Sequence, residues 1–194
     1  MSNFAEDAPL ESRYLTQEFY DELIAWRDAS KDLSRAEDIK LQHECAQLLY
    51  HEARLLDNRR FEDWLSLYSE ECLYWAPAEP LADPREQVNI MFDDRRRLVD
   101  RIVRLETGFA HNQEPNRRMR RLVTNIEAWE DDAGLNRRVL ANEKVYEHRT
   151  NRQMVDYVVG LDYWLVREGG QWKIKVKKAQ LINSLDGIEL PTFL

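Results

Sequence analysis

The spacing of apolar residues changes period near residue 117, and that change restricts the fold more than any other feature of the chain. Before it, apolar side chains recur at helical intervals of three, four and seven; after it they alternate. Four extended runs follow, divided by turn signals at Asp131-Asp132-Ala133-Gly134, Thr150-Asn151-Arg152 and Gly169-Gly170. The last run alternates most plainly: Trp172, Ile174 and Val176 point one way, Lys173, Lys175 and Lys177 the other. Successive strands joined by short turns predict an antiparallel meander rather than the strand–helix alternation of a doubly wound sheet. The runs exceed the usual length of about five or six residues, and a long antiparallel sheet twists and must curl. The simplest closure is an α+β roll, a long curved antiparallel sheet wrapped around the N-terminal helices.

The helices come first. Thr16 caps a short helix running to about Ser30, with Phe19, Leu23 and Trp26 along one side. Ser34 followed by Glu37 has the capping-box pattern and predicts a longer helix to Asp57, striped by Leu41, Cys45, Leu48, Leu49, Leu55 and Leu56. Phe61, Trp64, Leu65 and Tyr68 indicate another short helix, and Cys72–Ala76 a brief strand stopped by Pro77. Residues 78–92, with Pro80 and Pro84, read as a loop. Asp93 or Asp94 then caps a helix carrying Leu98, Ile102, Val103 and Leu105 and ending at Gly108. The chain divides into an N-terminal extension with a short helix, residues 1–35, and an α+β domain, residues 36–194. In the run 154–166, Val155, Tyr157, Val159, Leu161, Tyr163 and Leu165 line one face, while Met154, Val158, Trp164 and Val166 lie on the other. A strand apolar on both sides is covered on both sides. The helices supply one cover, and another subunit is a candidate for the second.

With 36 acidic and 28 basic side chains the formal charge is -8, which argues against a general nucleic-acid binder, since phosphate neutralisation requires a basic surface. Cys45 and Cys72 each lie in an apolar run and read as buried free thiols in a reducing compartment. The acidic stretch Met1–Leu10 lacks the pattern of a secretory signal. No segment approaches the roughly 20 consecutive apolar residues of a membrane span. The expectation is a cytoplasmic protein with no membrane partner.

Taken in order, several segments resemble one family. His51-Glu52-Ala53-Arg54-Leu55-Leu56-Asp57, then Phe61-Glu62-Asp63-Trp64-Leu65, then Tyr74-Trp75-Ala76-Pro77 are similar to the N-terminal signature of the small (β) subunit of aromatic-ring-hydroxylating dioxygenases, of the biphenyl, toluene, naphthalene and cumene dioxygenase type. Asp93-Asp94, the arginine-rich helix after it, and Arg120-Arg121-Leu122-Val123-Thr124-Asn125-Ile126 resemble that family's middle, although a histidine commonly sits where this chain has Arg121. The resemblance runs from about residue 40 to the C-terminus and rests on the ordered set, not on one motif. It implies a cystatin-like, NTF2-like fold. It also implies an α3β3 hexamer with large α subunits and other β subunits. The α subunit would carry a Rieske 2Fe-2S cluster and a mononuclear Fe(II). The reaction implied inserts both atoms of dioxygen into an aromatic ring to give a cis-dihydrodiol, with electrons from NADH through a reductase and often a ferredoxin.

Chemistry within this chain is harder to find. A Rieske site requires two Cys and two His in paired short motifs, and there is no Cys-x-His here. His43 and His51 lie about 80° apart around their helix and do not converge, while His111 and His148 have no ligand-like neighbours in sequence. No phosphate loop, nucleophile elbow or kinase signature occurs. Catalytic, cofactor-binding and metal-binding residues are therefore all read as none. The enzyme alternative is an isomerase or dehydratase of the same fold, with Glu52 as a buried general base beside Tyr50 and Tyr74. Against it, buried carboxylates are usually paired, and Arg54, Arg120 and Arg121 are candidate partners. A stand-alone dimeric binding module is a third reading. The arginine clusters 95–97 and 117–121 are either solvated surface or interface donors to carboxylates. The family resemblance favours the second, which selects Arg95, Arg96, Arg97, Arg118, Arg120 and Arg121. Trp64, Trp75 and Trp172 read as core and Trp164 as interface, and Phe193 lies in an apolar tail suited to docking.

Overall fold

The computed structural model describes residues 12–106, 118–148, 154–185 and 193. Helix α1 (Gln17–Asp28) starts under the Thr16 hydroxyl, which accepts from the Phe19 amide at 3.4 Å, and passes into a 3-10 turn, Ala29–Asp32. Helix α2 (Ile39–Asp57) is capped by Asp38, whose carboxylate accepts from the Leu41 amide at 2.9 Å. The predicted Ser34–Glu37 box is thus displaced by four residues. Ser34 and its neighbours carry the chain around the sheet edge instead, and the Ser34 carbonyl accepts from Trp129 Nε1 at 2.9 Å. Then follow α3 (Phe61–Leu65), β1 (Tyr68–Pro77), β2 (Asn89–Asp94), α4 (Arg95–Glu106), β3 (Arg118–Glu130), β4 (Asn136–His148), β5 (Val155–Glu168) and β6 (Gln171–Leu181). Asp94 Oδ1 accepts from the Arg97 amide at 2.9 Å, so the acidic start expected for α4 is present. Gly108 and the 150–152 turn signal lie outside the described residues.

The six strands form one sheet in the order β2-β1-β6-β5-β4-β3. From β3 to β6 it is the expected antiparallel meander. Two features depart from the sequence reading. Residues 89–92, assigned to a loop, and Asp93-Asp94, assigned to the start of a helix, form β2 antiparallel to β1, with Trp75 opposite Phe92. Strand β1 is ten residues long rather than five, and it lies parallel to β6. Its polar insertion Ser69-Glu70-Glu71 hides the first half from an alternation count, since a strand in mid-sheet is held by neighbours on both sides whatever its local pattern.

The concave face wraps α2. Leu41, Cys45, Leu49, Leu55 and Leu56 meet Val139, Val145 and the inward β5 row Tyr157, Val159, Leu161, Tyr163 and Leu165, all buried. The convex face carries a second, smaller cluster, in which Phe19 and Leu23 of α1 cover Leu73, Trp75 and Val176. Trp26 stacks on Trp164 with ring centroids 6.0 Å apart. Buried Arg138 fixes the same helix, donating to Asp162 at 3.0 Å and to the Trp26 carbonyl. Over Trp164, then, the second face of β5 is covered by this chain's own α1 and not by another subunit. Farther along, Val158 remains 37% and Met154 60% exposed.

The last strand corrects another expectation. Trp164 pairs with Val176 but Leu165 with Ile174, so Lys175 is an unmatched extra residue, a one-residue bulge. It inverts the alternation: Ile174 belongs to the concave core and Val176 to the convex cluster. Lys177, predicted on the opposite face from Ile174, is brought inside with no exposed surface.

Candidate functional site

Two regions answer to the sequence-level candidates, the polar centre of the concave core and the arginine-bearing surface at the C-terminal end of α2. In the first, Glu52 stands between Leu49 and Leu55, three residues from each and on the same buried side of α2. It receives four donors. Oε1 accepts from Trp64 Nε1 at 3.1 Å, Tyr68 Oη at 3.0 Å and Lys177 Nζ at 3.1 Å, and Oε2 from Tyr163 Oη at 2.6 Å. Burial alone would raise the Glu52 pKa. The Lys177 ammonium and the Tyr163 and Trp64 donors outweigh it and hold the carboxyl below its ordinary value. Burial likewise opposes the charge on Lys177, yet Glu52 holds its pKa above the usual lysine value. Tyr74, also fully buried, is pushed up to about 12, chiefly by burial. A carboxylate so fully engaged is a structural anion, not a poised base. Glu52 is therefore paired, as expected for a buried carboxylate, but with a lysine from β6 rather than with an arginine. One signal for this lies in the sequence: Lys177 and Lys178 are adjacent in an alternating strand, so one of them must face the core.

Beside this centre, Asp57 at the end of α2 accepts from the Arg121 backbone amide at 3.1 Å and from its guanidinium at 2.8 Å. Arg121 is buried, lies 3.8 Å from Glu143, and donates to the Phe193 carbonyl at 2.8 Å. The Phe193 ring is 2% exposed and lies 4.4 Å from Trp64, 5.8 Å from Phe61 and 6.2 Å from Tyr74, centroid to centroid. Both residues were expected at a subunit interface. The structure gives them intrachain partners, because Asp57 and the aromatic recess offer them charge and apolar cover within the fold.

Of the other predicted interface residues, Arg95, Arg96 and Arg120 lie near the 57–65 stretch, while Arg97 and Trp164 lie on the side of the molecule that carries α1. Arg95 donates to the Ser69 carbonyl at 3.2 Å and pairs with Glu70 at 3.2 Å. Arg96 pairs with Asp100 one turn on, Arg97 is exposed and donates to the Phe92 carbonyl, and Arg118 is exposed. Arg120 is 69% exposed and stands 3.6 Å from Asp57. Arg95 and Arg96 also line a groove of about 560 Å³ between α3 and α4, floored by Leu65, Ile102 and Val103. Trp164 is half-buried under Trp26, with Lys175 Nζ 4.0 Å from its ring. Trp64 and Trp75 are core as predicted, and Trp172 is partly buried. Cys45 and Cys72 are free and buried. Among the described residues no three His, Cys, Asp or Glu side chains converge as metal ligands, and no helix is long and apolar enough to cross a membrane. His111 lies outside the described residues.

This architecture has known counterparts. A family model described as "Ring hydroxylating beta subunit" matches residues 51–186. The chain belongs to that family. It is 37% identical over 127 residues to the 3-phenylpropionate/cinnamic acid dioxygenase subunit beta of Photorhabdus laumondii subsp. laumondii, a match covering 61% of this chain and 71% of that protein. It is 42% identical over 86 residues to the small oxygenase component of the p-cumate 2,3-dioxygenase system of Pseudomonas putida, covering 43% of this chain and 48% of that relative. That second match spans about half the relative's length. Among solved structures, naphthalene 1,2-dioxygenase with indole bound in the active site superposes with a TM-score of 0.73 at 21% identity, over 92% of this chain and 99% of that one. The likeness establishes the NTF2-like fold of the ring-hydroxylating β subunits for this chain.

Proposed function

We propose that this chain is the non-catalytic β subunit of an aromatic-ring-hydroxylating dioxygenase, assembling with a large subunit as an α3β3 oxygenase in the cytoplasm. The observation that carries the reading is the family match over residues 51–186. The state of Glu52 supports it: the carboxylate that an isomerase or dehydratase of this fold would use is held by four donors. The histidines and cysteines of the described residues are dispersed and do not fit an iron centre. In this reading the large subunit carries the Rieske cluster and mononuclear Fe(II). The assembled enzyme adds dioxygen to an aromatic compound to form a cis-dihydrodiol, with electrons arriving from NADH through a reductase and, in some systems, a ferredoxin. This chain supplies rigidity and a docking surface. We place that surface at the C-terminal end of α2, where Arg96 on α4 and Arg120 on β3, with Arg118 two residues along the same strand, lie near residues 57–65 and meet carboxylates of the large subunit.

The experiment is co-purification of the tagged chain from its host grown on an aromatic carbon source, with iron content and visible absorbance recorded. An equimolar, larger, iron-loaded brown partner is the expected result. A colourless homo-oligomer without partner would overturn the reading and direct attention to isomerase and dehydratase assays.

A further inference from the structure

Phe193 is held in a manner that resembles a bound ligand more than a packed residue. Its ring fills a recess walled by three aromatic rings from two elements, Phe61 and Trp64 of α3 and Tyr74 of β1, at 4.4–6.2 Å. Its carbonyl, at the other end, accepts from the buried guanidinium of Arg121. An apolar anchor requires only the first of these contacts. Recognition of a ring and of a carbonyl at a set distance from it is how small-molecule sites are built, apolar walls with a few fixed polar groups. We propose that this recess is a binding site for neutral aromatic carbonyl compounds, which the chain occupies with its own residue 193.

The charge around the site selects the neutral class. Arg121 already faces Asp57 at 2.8 Å and Glu143 at 3.8 Å, Arg120 adds a second cation 3.6 Å from Asp57, and the nearby Lys177 is matched to Glu52. An added carboxylate would find no unmatched cation there, whereas an amide, ketone or aldehyde oxygen reproduces what Phe193 presents. The spacing selects the length. From ring to carbonyl a phenylalanine residue is a 3-phenylpropanoyl group, so 3-phenylpropanamide is the matching free compound. In the intact chain the tethered ring competes at an effective concentration in the millimolar range, and free ligand is excluded. An aromatic-lined void left by removing a buried ring holds small aromatics readily.

The test uses the full chain carrying Phe193→Ala, with toluene as the probe for the ring slot. Calorimetric binding and a rise in Tm of about 3–5 °C at tenfold-saturating toluene are expected, with no rise for the wild type. A folded variant that binds no toluene would overturn the proposal; because a void left by any buried ring would also take toluene, the comparison that separates a ligand site from simple packing is the one at the polar end. Should the variant lack a cooperative melt, toluene must restore it, and failure to do so overturns the proposal equally. The polar end is tested with the chain ended at Thr192, where the Phe193 carbonyl is gone as well. There 3-phenylpropanamide should bind at least tenfold more tightly than propylbenzene. Equal affinities would remove Arg121 from the site.

Discussion

At the residue scale, Glu52 and Lys177 form an ion pair with essentially no access to water, and Tyr68, Tyr163 and Trp64 complete the carboxylate's shell. Removing one member of such a pair leaves the other charge buried, at a cost of about 3–5 kcal/mol, whereas removing both is far milder. Lys177→Met should therefore lower urea stability by about 3 kcal/mol or more, and the double variant with Glu52→Gln should recover most of that loss. A full double-mutant cycle with additive effects would contradict the coupling drawn here. The pH window follows from the two shifts. Glu52 has a depressed pKa, so its contribution is present above the ordinary value of 4.5 and disappears in acid; Lys177 has a raised pKa, so its contribution is present below 10.5 and disappears in alkali. The buried carboxylate was legible from its place in the α2 stripe. Its lysine partner is legible only in part: the adjacent Lys177-Lys178 pair requires that one lysine face the core, but the bulge that decides which has no mark in the alternation.

At the element scale, the inverted alternation of β6 has a single cause, the extra residue Lys175. Side chains in a strand alternate, so deleting Lys175 would restore unbroken pairing with β5 and invert one side of the strand against its neighbours. The deletion should abolish soluble, cooperatively folding protein, while Lys175→Ala, which keeps the bulge, should stay folded with a loss near 1 kcal/mol or less; circular dichroism and thermal melts separate the two. On the convex face, Lys178 is held under Arg27 and Arg138 near Asp162 and Asp28, and donates to the Pro80 carbonyl at 3.1 Å. Burial first, then the two guanidiniums, bring its pKa to about 8 from 10.5. The folded state sheds this proton before the unfolded chain does, so stability rises as pH increases from about 8 towards 10.5. The difference in stability between wild type and Lys178→Met should grow across that window, and a constant difference would refute the assignment. Helix α1 was readable from Thr16 and its apolar side. Its docking site was not, since nothing local to residues 17–28 names Leu73, Trp75 or Val176 as its bed. Strand β2 was hidden for the same reason: its short apolar run Ile90-Met91-Phe92 follows a proline-bearing loop and is a strand only through its pairing with β1.

At the scale of the whole molecule, the NTF2-like roll followed from the change of period and from the family resemblance, and the family match bears out both. The interface was less accessible, because an arginine in sequence does not declare whether its carboxylate lies in the same chain. Arg121 found Asp57; Arg120, beside it, is mostly exposed. This contrast sharpens the docking proposal. Arg96→Glu combined with Arg120→Glu should leave the melting temperature within about 2 °C of wild type, as surface substitutions generally do, yet reduce recovery of the large subunit by at least tenfold at physiological salt. Unchanged recovery would move the docking surface elsewhere on the molecule.

The parallel pairing of β1 with β6 sets an order of events during synthesis. Tyr68 lies beside Ile174 and Trp75 beside Lys178, so the strand shared by the concave core and the convex cluster acquires its central neighbour only when the last strand has been made. Until then a nascent chain holds α1, α2, β1 and β2 with their apolar sides unclosed, the kind of long-range topology that folds slowly and is exposed to aggregation. A chain interrupted before Ile174 would therefore keep one edge of β1 open and the apolar faces beside it uncovered, so it would be an adhesive intermediate and not a partial subunit.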